Sequence, residues 1–313
     1  MPKLIVIVCA WLPDGEIEHW RHTFPDIDFL DAKTPDALLR ADIAYGLPDL
    51  ARLPEAKKLR WIQLASAGVP HALCPLAQAQ AIRVTNLAGL YGPTIAEHAL
   101  AMLLVLNRNL HIVQRQQLTK TWDRSVMNTM RDLHGKTLAI VGMGNIGCNI
   151  ARLARAFGMR VVGCRRTETP SAYVDRLYPR ADLAAMFAEA DHVAIAAPLT
   201  TATEGMVGPE AFQALKPGAI LVNVSRGPIV QEKALIDVLR SGHLRGAGLD
   251  VFAGEPLPAD HPLWTLPNVL VSPHYSGETV NTSALPARRF LRNLRAFGQD
   301  ELQEGLVDLK HGY

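Results

Sequence analysis

The chain has 313 residues, of which 49% are hydrophobic and 20% charged, and its formal net charge is +2 at pH 7. This length suffices for two domains, and the composition is that of an ordinary soluble globular protein. The small net charge favours neither nucleic acid nor a membrane surface as a partner. The four cysteines form no CxxC motif and no cluster with histidines, so we expect no disulfide and no metal site, and we expect a cytoplasmic protein.

The first third of the chain alternates short apolar runs with helix-like segments. The first run, residues 3–10, is typical of a strand buried on both faces, and further runs follow at 27–30, 42–45, 61–65 and 82–87. Strands that alternate with helices predict βαβ units and a parallel sheet. No run reaches the roughly 20 residues needed to cross a bilayer.

The turn after the run at 61–65 is a candidate anion site. Ala67, Gly68 and Val69 offer successive backbone N–H groups, and such a turn can hold a small anion. A plain strand-to-helix turn explains the same residues equally well. The segment alone leaves both interpretations open.

A long helix is predicted between two α/β regions. Thr94 and Glu97 have the spacing of a capping box at its start. The run from His98 to Leu106 is apolar nearly all round, which is typical of a buried helix, and a polar stretch continues it to Lys120. We place a domain boundary near the start of this helix.

Residues 136–147, KTLAIVGMGNIG, predict a dinucleotide site. A short apolar run ends in Gly142, Gly144 and Gly147, and a helical pattern follows at 146–157. Glycines at a strand–turn–helix junction let the backbone approach a pyrophosphate, and free N–H groups at the helix start bind the phosphates. The alternative is that these glycines form an ordinary turn that binds no ligand.

Six apolar runs after residue 136 predict the fold of the second region. They lie at 137–141, 160–164, 192–197, 219–225, 246–251 and 268–273. Six strands opened by GxGxxG indicate a doubly wound parallel sheet. We therefore predict an α/β protein of two doubly wound, Rossmann-like domains with a cleft between them. Residues 1–97 with 285–313 would form a flavodoxin-like substrate domain, and residues 98–284 the dinucleotide-binding domain.

Charged residues and one proline follow these runs where the predicted strands end. They are Arg165 and Arg166, Pro198, Arg226, Asp250 and His274. Ligands of an open parallel sheet bind at the carboxyl ends of its strands. Each residue alone is typical of a solvated loop, but several ionisable groups on one edge indicate a catalytic site.

Four motifs stand out in sequence and spacing. They are GMGNIG at 142–147, NVSRGPIV at 223–230, GAGLDVFAGEPLP at 246–258 and SPHYSG at 272–277. Together they resemble the D-isomer-specific 2-hydroxyacid dehydrogenase family, and the resemblance extends over essentially the whole chain. The arginine pair and the closing Gly312–Tyr313 are similar to the glyoxylate/hydroxypyruvate reductase branch.

The resemblance implies hydride transfer between a nicotinamide cofactor and a small 2-oxo or D-2-hydroxy acid. Arg226 would bind the substrate's carboxylate and carbonyl oxygens, a task that suits the fork of a guanidinium group. His274 would be the general acid in reduction and the general base in oxidation, with Glu255 orienting it and stabilising its protonated form. Ala67, Gly68 and Val69 would help hold the carboxylate, and no metal is required.

The resemblance also implies contacts with the cofactor. Asp250 would hydrogen-bond the nicotinamide carboxamide, and Pro198 would pack beside the adenosine. The full predicted set is Gly142, Gly144, Asn145, Ile146, Gly147, Arg165, Arg166, Thr167, Pro198, Ser225, Asp250 and Gly277.

The residues after the second of these strands predict a preference for NADP(H). NAD sites usually place an acidic residue about 20 residues after the first glycine. This chain has Arg165, Arg166 and Thr167 there, which would bind a 2′-phosphate that a carboxylate would repel. NAD(H) remains the alternative if both arginines are solvated surface groups.

Five residues are candidates for shaping the substrate pocket, although each could equally belong to a core: Tyr45, Leu47, Leu90, Tyr91 and Trp264. Members of the family are commonly homodimers, so we expect a homodimer here. The Leu100–Leu106 run and the Trp122–Met130 loop are candidates for its interface. Two rival functions on this scaffold stay open: oxidation of another small oxyanion such as phosphite, and a nucleotide-sensing, corepressor-like binding protein.

Overall fold

The computed structural model describes residues 3–70, 72–165, 172–297, 299, 301 and 304–310. The chain forms two compact units, one of residues 1–91 with 279–313 and one of residues 92–278. The compact units divide after residues 91 and 278. The boundaries that the sequence predicts, after residues 97 and 284, each lie six residues beyond these points. The first shift arises because the helix that starts at residue 92 packs, from its first turn, on a helix of the second unit.

The first unit contains a parallel sheet of five strands in the order β2-β1-β3-β4-β5. The strands are β1 (Leu4–Val8), β2 (Ile27–Asp31), β3 (Ile43–Tyr45), β4 (Trp61–Gln63) and β5 (Arg83–Thr85). Each coincides with one of the apolar runs, so the predicted parallel sheet is confirmed. The register pairs Val6 with Phe29 on one side and with Ile43 on the other, which keeps apolar side chains together.

Helices cover both faces of this sheet. They are α1 (Glu16–Thr23), α2 (Ala37–Arg40), α3 (Leu73–Ala79) and α10 (Leu285–Phe297). Trp20 of α1 and Phe290 of α10 pack on one face, and Tyr45 lies between them with 1% of its surface exposed. Of the two roles that the sequence leaves open for Tyr45, these aromatic contacts support a place in the core.

The second unit contains a parallel sheet of seven strands in the order β12-β11-β10-β9-β6-β7-β8. The strands are β6 (Thr137–Val141), β7 (Arg160–Cys164), β8 (Arg176–Tyr178), β9 (His192–Ile195), β10 (Ala219–Asn223), β11 (Leu244–Leu249) and β12 (Val269–Val271). The six predicted strands are present. The sequence analysis missed β8 because it is short and has only one buried residue, Tyr178. The strand order reverses between β6 and β9, which is where doubly wound sheets bind ligands.

Helices also cover both faces of the second sheet. They are α4 (Gly92–Asn107), α6 (Asn145–Ala156), α7 (Leu183–Glu189), α8 (Pro209–Ala214) and α9 (Glu232–Arg240). A further helix, α5 (Leu110–Leu118), follows α4 and has no buried residue. One core lies between the sheet and α7, α8 and α9, and the other between the sheet and α4 and α6. The doubly wound architecture is therefore confirmed for both sheets.

Helix α4 differs from the prediction at both ends. It begins at Gly92, so Thr94 lies inside its first turn and is not the N-terminal cap that the capping-box spacing predicted. Pro93 is accepted there because the first-turn N–H groups have no intrahelical acceptor. The predicted polar continuation is interrupted by Asn109, whose φ of 54° breaks the chain into α4 and α5.

The apolar run of α4 is part of the core. Leu100, Leu103 and Leu106 are buried, and the helix packs on α6, β10 and β11. Ala101 of the same run is exposed and Leu104 and Val105 are partly buried, so its part in a subunit interface stays a prediction. Within the described ranges, no helix is both long and apolar enough to cross a bilayer.

His192 is a buried titratable group at the start of β9, between β6 and β10. In the described part of the chain, no group hydrogen-bonds its Nδ1 atom. Burial lowers the pKa of His192 from 6.5 to about 4, and nearby Arg131, Lys136 and Arg245 act in the same direction while Asp191 opposes them. The folded unit therefore holds this imidazole neutral.

We expect His192 to make the protein less stable as the pH falls from about 6.5 to about 4. In that range the unfolded chain binds a proton that the folded chain excludes, and at about 1.36 kcal/mol per pKa unit the loss reaches about 3 kcal/mol. Urea unfolding at several pH values should show a shallower loss in His192→Gln than in wild type. The exposed His22→Gln variant is the control, and equal slopes for His192→Gln and wild type would contradict a buried neutral imidazole.

Candidate active site

The residues predicted to form the site follow strands of the seven-stranded sheet at one edge. Parallel pairing places all carboxyl ends of these strands on the same side. In chain order, Gly142 follows β6, Arg165 follows β7, Pro198 comes after β9, Arg226 after β10, Asp250 follows β11 and His274 comes after β12.

Gly142 and Gly147 are required by close packing of the main chain. Gly142 has a φ of 100°, and a β-carbon there would collide with the backbone of Ala197 after β9. A β-carbon on Gly147 would collide with the carbonyl oxygen of Gly142. The glycines thus allow the ends of β6 and β9 and the first turn of α6 to touch.

The start of α6 offers backbone N–H groups for an anion. Gly144 occupies the N-terminal cap and provides no capping side chain, and both Gly144 and Asn145 are exposed. A β-carbon on Gly144 would meet no atom of the described residues within 4 Å, so these residues leave open space above the turn. Unpaired N–H groups at the positive end of the helix dipole fit the pyrophosphate of a dinucleotide.

His274 and Glu255 form a close pair. The Nδ1 atom of His274 lies 2.7 Å from Oε2 of Glu255, while Oε1 of Glu255 accepts a hydrogen bond from the N–H of Phe252 at 3.0 Å. The side chains are 43% and 35% exposed, respectively. Among the described residues only Glu255 hydrogen-bonds the imidazole, which leaves Nε2 available to a ligand.

The main chain at Arg226 lies against the segment that holds Glu255. A β-carbon on Gly227 would collide with the backbone of Phe252, whose N–H donates to Glu255. The Arg226 guanidinium donates to the carbonyl oxygen of Ser225 at 2.6 Å, and its side chain is partly exposed. The structure therefore brings the predicted Arg226, Glu255 and His274 to one edge of one unit.

Asp250 is fully buried, with 0% of its surface exposed. Its Oδ1 atom accepts hydrogen bonds from the Ser272 hydroxyl at 2.5 Å and the Tyr275 N–H at 3.1 Å. Its Oδ2 atom accepts one from the Ser276 N–H at 3.0 Å. One carboxylate thus binds the chain on both sides of His274.

His98 of α4 extends this network. Its Nε2 atom lies 3.0 Å from the Ser272 hydroxyl oxygen and 3.9 Å from Oδ1 of Asp250. Burial lowers the pKa of His98, and the Asp250 charge opposes that shift. Our sequence analysis missed His98 and Ser272 as site residues. The signal that could have identified them is that each is a polar residue in an otherwise apolar run, His98 in 98–106 and Ser272 in 268–273.

The predicted anion turn of the first unit has free backbone donors. Within the described ranges, no group accepts a hydrogen bond from the N–H of Ala67, Gly68 or Val69. The turn is held instead through oxygens, since the Ser66 hydroxyl donates to the Gly68 carbonyl at 2.9 Å and the Asn86 side chain to the Ala67 carbonyl at 2.8 Å.

The other predicted cofactor residues vary in exposure. Arg165 and Gly277 are half-buried, Pro198 is exposed, and Ser225 is buried and donates its hydroxyl hydrogen to the Ala197 carbonyl. Arg166 and Thr167 lie outside the described residues.

The remaining pocket candidates are surface or half-buried residues. Trp264 is exposed and donates its Nε1–H to the Pro258 carbonyl at 2.8 Å. Leu47 is exposed, and Leu90 and Tyr91 are half-buried, all three in the first unit. Their part in a substrate pocket stays a prediction.

Comparison with known proteins identifies the family. A profile of the D-isomer specific 2-hydroxyacid dehydrogenase NAD binding domain matches residues 100–276, which include the glycine turn, Arg226, Glu255 and His274. A glyoxylate reductase of Korarchaeum cryptofilum is 36% identical over 259 residues, or 81% of this chain and 77% of that protein. Glyoxylate/hydroxypyruvate reductase B of Escherichia fergusonii is 35% identical over 264 residues, or 83% and 81% of the two chains.

A solved structure agrees over the full length. The D-isomer specific 2-hydroxyacid dehydrogenase of Xanthobacter autotrophicus Py2, in complex with NADPH and MES, has a TM-score of 0.85 and 27% identity, with 100% of both chains covered. The chain described here therefore belongs to the D-isomer-specific 2-hydroxyacid dehydrogenase family of NAD(P)-dependent oxidoreductases.

Proposed function

We propose that this protein transfers a hydride between NADP(H) and a small 2-oxo or D-2-hydroxy acid of the glyoxylate or hydroxypyruvate kind. The observation that carries the proposal is the 2.7 Å pair of His274 and Glu255 at the sheet edge that also bears the glycine turn. Carbonyl reduction needs a proton donor beside a dinucleotide site. The identity of about a third to relatives named glyoxylate and hydroxypyruvate reductases supports the substrate class.

His274 is the proposed proton donor for the substrate's carbonyl oxygen. The bound cofactor supplies the hydride. Nε2 of His274 gives up its proton in reduction and takes one back in oxidation, while Glu255 holds Nδ1 and so fixes the orientation of the ring. The Glu255 carboxylate also offsets the positive charge of the protonated imidazole.

Arg226 is the proposed anchor of the substrate. Its guanidinium group can donate to a carboxylate oxygen and to the carbonyl oxygen at once, which orients the carbon that accepts the hydride. The free N–H groups of Ala67, Gly68 and Val69 are proposed as further donors to the carboxylate. These positive and polar groups supply the charge stabilisation without a metal ion.

NADP(H) is the proposed cofactor. The chain carries Arg165, Arg166 and Thr167 where an NAD site usually has an acidic residue. A structural neighbour in complex with NADPH supports the same assignment.

Replacing either member of the acid–base pair should slow the chemical step. We expect His274→Ala to lower kcat for glyoxylate by roughly 10²–10⁴-fold and Glu255→Gln to lower it by a smaller factor, because a positioned proton donor contributes about that much. The NADPH dissociation constant, measured by fluorescence, should stay near the wild-type value in both variants. The exposed His22→Gln variant is the control, and unchanged turnover in His274→Ala would place the proton donor elsewhere.

Cofactor choice should depend on the two arginines. We expect a higher kcat/KM with NADPH than with NADH, and a double Arg165→Ala, Arg166→Ala variant should lose roughly tenfold to a hundredfold with NADPH alone, since hydrogen bonds to charged groups contribute about 1.5–3 kcal/mol. Arg240→Ala, an exposed arginine at the end of α9, is the matched control. Equal values for NADPH and NADH in the wild type would contradict the preference.

A substrate panel separates the proposal from its rivals. Glyoxylate, hydroxypyruvate and bulkier 2-oxo acids are tested with NADPH, and phosphite is tested with NADP⁺, each by the change in nicotinamide absorbance. Turnover of phosphite without turnover of any 2-oxo acid would overturn the substrate assignment. Tight cofactor binding with negligible turnover of every compound would favour a binding protein.

A homodimer is the proposed assembly. Helix α5 and the following segment expose several apolar side chains, and Trp122 is 93% exposed. Exposed apolar surface of this kind is typical of a protein–protein contact. We expect sedimentation to show a dimer that Trp122→Glu shifts towards monomer, whereas Trp11→Glu, at an exposed position of the first unit, leaves the dimer intact. A monomeric wild type would contradict the proposal.

A further inference from the structure

We propose that a cavity at the amino ends of β6, β9 and β10 is a binding site for a small organic phosphate. Parallel pairing places the amino ends of these strands on one side of the sheet and their carboxyl ends on the other. The cavity therefore lies at the edge opposite to the proposed active site, and the inference does not depend on the proposed reaction.

The cavity is large enough for a small organic molecule. Its volume is about 390 Å³. It is lined by residues from three segments that each lead into a strand: 131–136 before β6, 191–192 at the start of β9 and 216–219 at the start of β10. Small-molecule sites in proteins occupy roughly 300–1,000 Å³, so a phosphate with a short carbon skeleton fits this volume.

Two cations of the cavity wall have donors to offer. Lys136 is exposed, and its side chain forms no hydrogen bond and no ion pair with any described residue. Arg131 donates one hydrogen bond, from Nη1 to the Gly218 carbonyl at 3.0 Å. A guanidinium group has five N–H donors, so most of those of Arg131 remain for a ligand.

The carboxylates of the wall are already paired with other cations. The Nζ atom of Lys216 lies 3.4 Å from Oδ1 of Asp191, and Nη1 of Arg108 lies 3.4 Å from Oδ1 of Asp132. The two cations of the preceding paragraph therefore leave the wall with a net positive charge, which attracts an anion.

His192 gives the cavity a buried polar group without a partner. Its imidazole lines the cavity, only 2% of the residue is exposed, and no described residue hydrogen-bonds either ring nitrogen. Nδ1 is enclosed, so the side of the ring that borders the cavity is the one that carries Nε2. Buried polar groups almost always have a partner, and a ligand oxygen that accepts from Nε2–H would provide one.

The imidazole and the two cations lie near one another. Burial lowers the pKa of His192 most; the Asp191 charge opposes this shift, while the charges of Arg131 and Lys136 add to it. Coulomb interactions of this kind require short separations. His192 is therefore a neutral donor beside two positive charges.

This set of donors favours a phosphate over a carboxylate. A phosphate monoester carries about −1.5 to −2 charges at pH 7 and three strong acceptor oxygens. A guanidinium, an ammonium and an imidazole N–H offer one donor group to each oxygen, and the two positive charges match the charge of the ligand. A carboxylate has a single charge and two oxygens, so it would leave one donor group unused.

The test measures binding of β-glycerophosphate by calorimetry, with succinate and glycerol as comparison probes. We expect the wild type to bind β-glycerophosphate more tightly than succinate and to show no heat with glycerol. Lys136→Gln should weaken binding of β-glycerophosphate roughly tenfold to a hundredfold, as expected for the loss of one charge-assisted hydrogen bond, and Lys136→Arg should retain it. Lys233→Gln, which removes an exposed lysine of α9, is the matched control and should bind as wild type.

NMR signals of the His192 imidazole report where the probe binds. These signals, assigned by their loss in His192→Gln, should shift when β-glycerophosphate is added to the wild type, with the dissociation constant found by calorimetry. The same concentration should leave them unchanged in Lys136→Gln. Arg226→Ala should keep both the affinity and the shift, since Arg226 follows the carboxyl end of β10.

Three results would overturn the inference. One is the absence of both heat and a shift of the His192 signals at millimolar β-glycerophosphate. Another is equal affinity for succinate, which would contradict the phosphate class. The last is loss of binding in Arg226→Ala with unmoved His192 signals in the wild type, which would assign the phosphate to the proposed active site. Neither measurement uses turnover, so a wild type that reduces no 2-oxo acid would refute the proposed function alone.

Discussion

Parallel pairing of β9, β10, β11 and β12 is the constraint on which the candidate site depends. It places the segments after these strands side by side, so that Ser225–Arg226, Asp250 and His274 share one edge although they are distant in sequence. Strands in a sheet are about 4.8 Å apart, which is within the reach of an arginine or glutamate side chain from one segment to the next. Without this pairing the ionisable groups would be separate loop residues.

Close contacts of the main chain refine what the sheet brings together. Glycine at 142 lets the end of β6 touch the segment after β9, and glycine at 227 lets the segment after β10 touch Phe252. A side chain at either position would separate neighbouring segments by the width of a methyl group or more. The dinucleotide turn and the acid–base pair thus depend on the same type of contact.

Hydrogen bonding then sets the directions of the side chains. Glu255 receives the Phe252 N–H on one oxygen and the His274 ring on the other, and Asp250 receives donors from both sides of His274. Buried or half-buried carboxylates with several donors are rigid, because each lost bond leaves a charge poorly solvated. The His274 ring is therefore oriented by Glu255, and the backbone on both sides of it is held by Asp250.

The sequence by itself determined the two parallel sheets, the glycine turn and the three ionisable residues proposed for catalysis, because apolar runs and the residues that end them are local patterns. It did not determine strand β8, the start of α4 or the burial of Tyr45, because a short strand, a helix end and a core position depend on neighbours far along the chain. Only the tertiary structure decided that Asp250 is fully buried, that it accepts a hydrogen bond from Ser272 and that Ser272 also contacts His98. The Ser272–Asp250 bond joins residues that are 22 positions apart, and the His98–Ser272 bond joins residues that are 174 positions apart. Such bonds leave no periodic signal in the sequence, since they form only when the sheet and α4 have packed together.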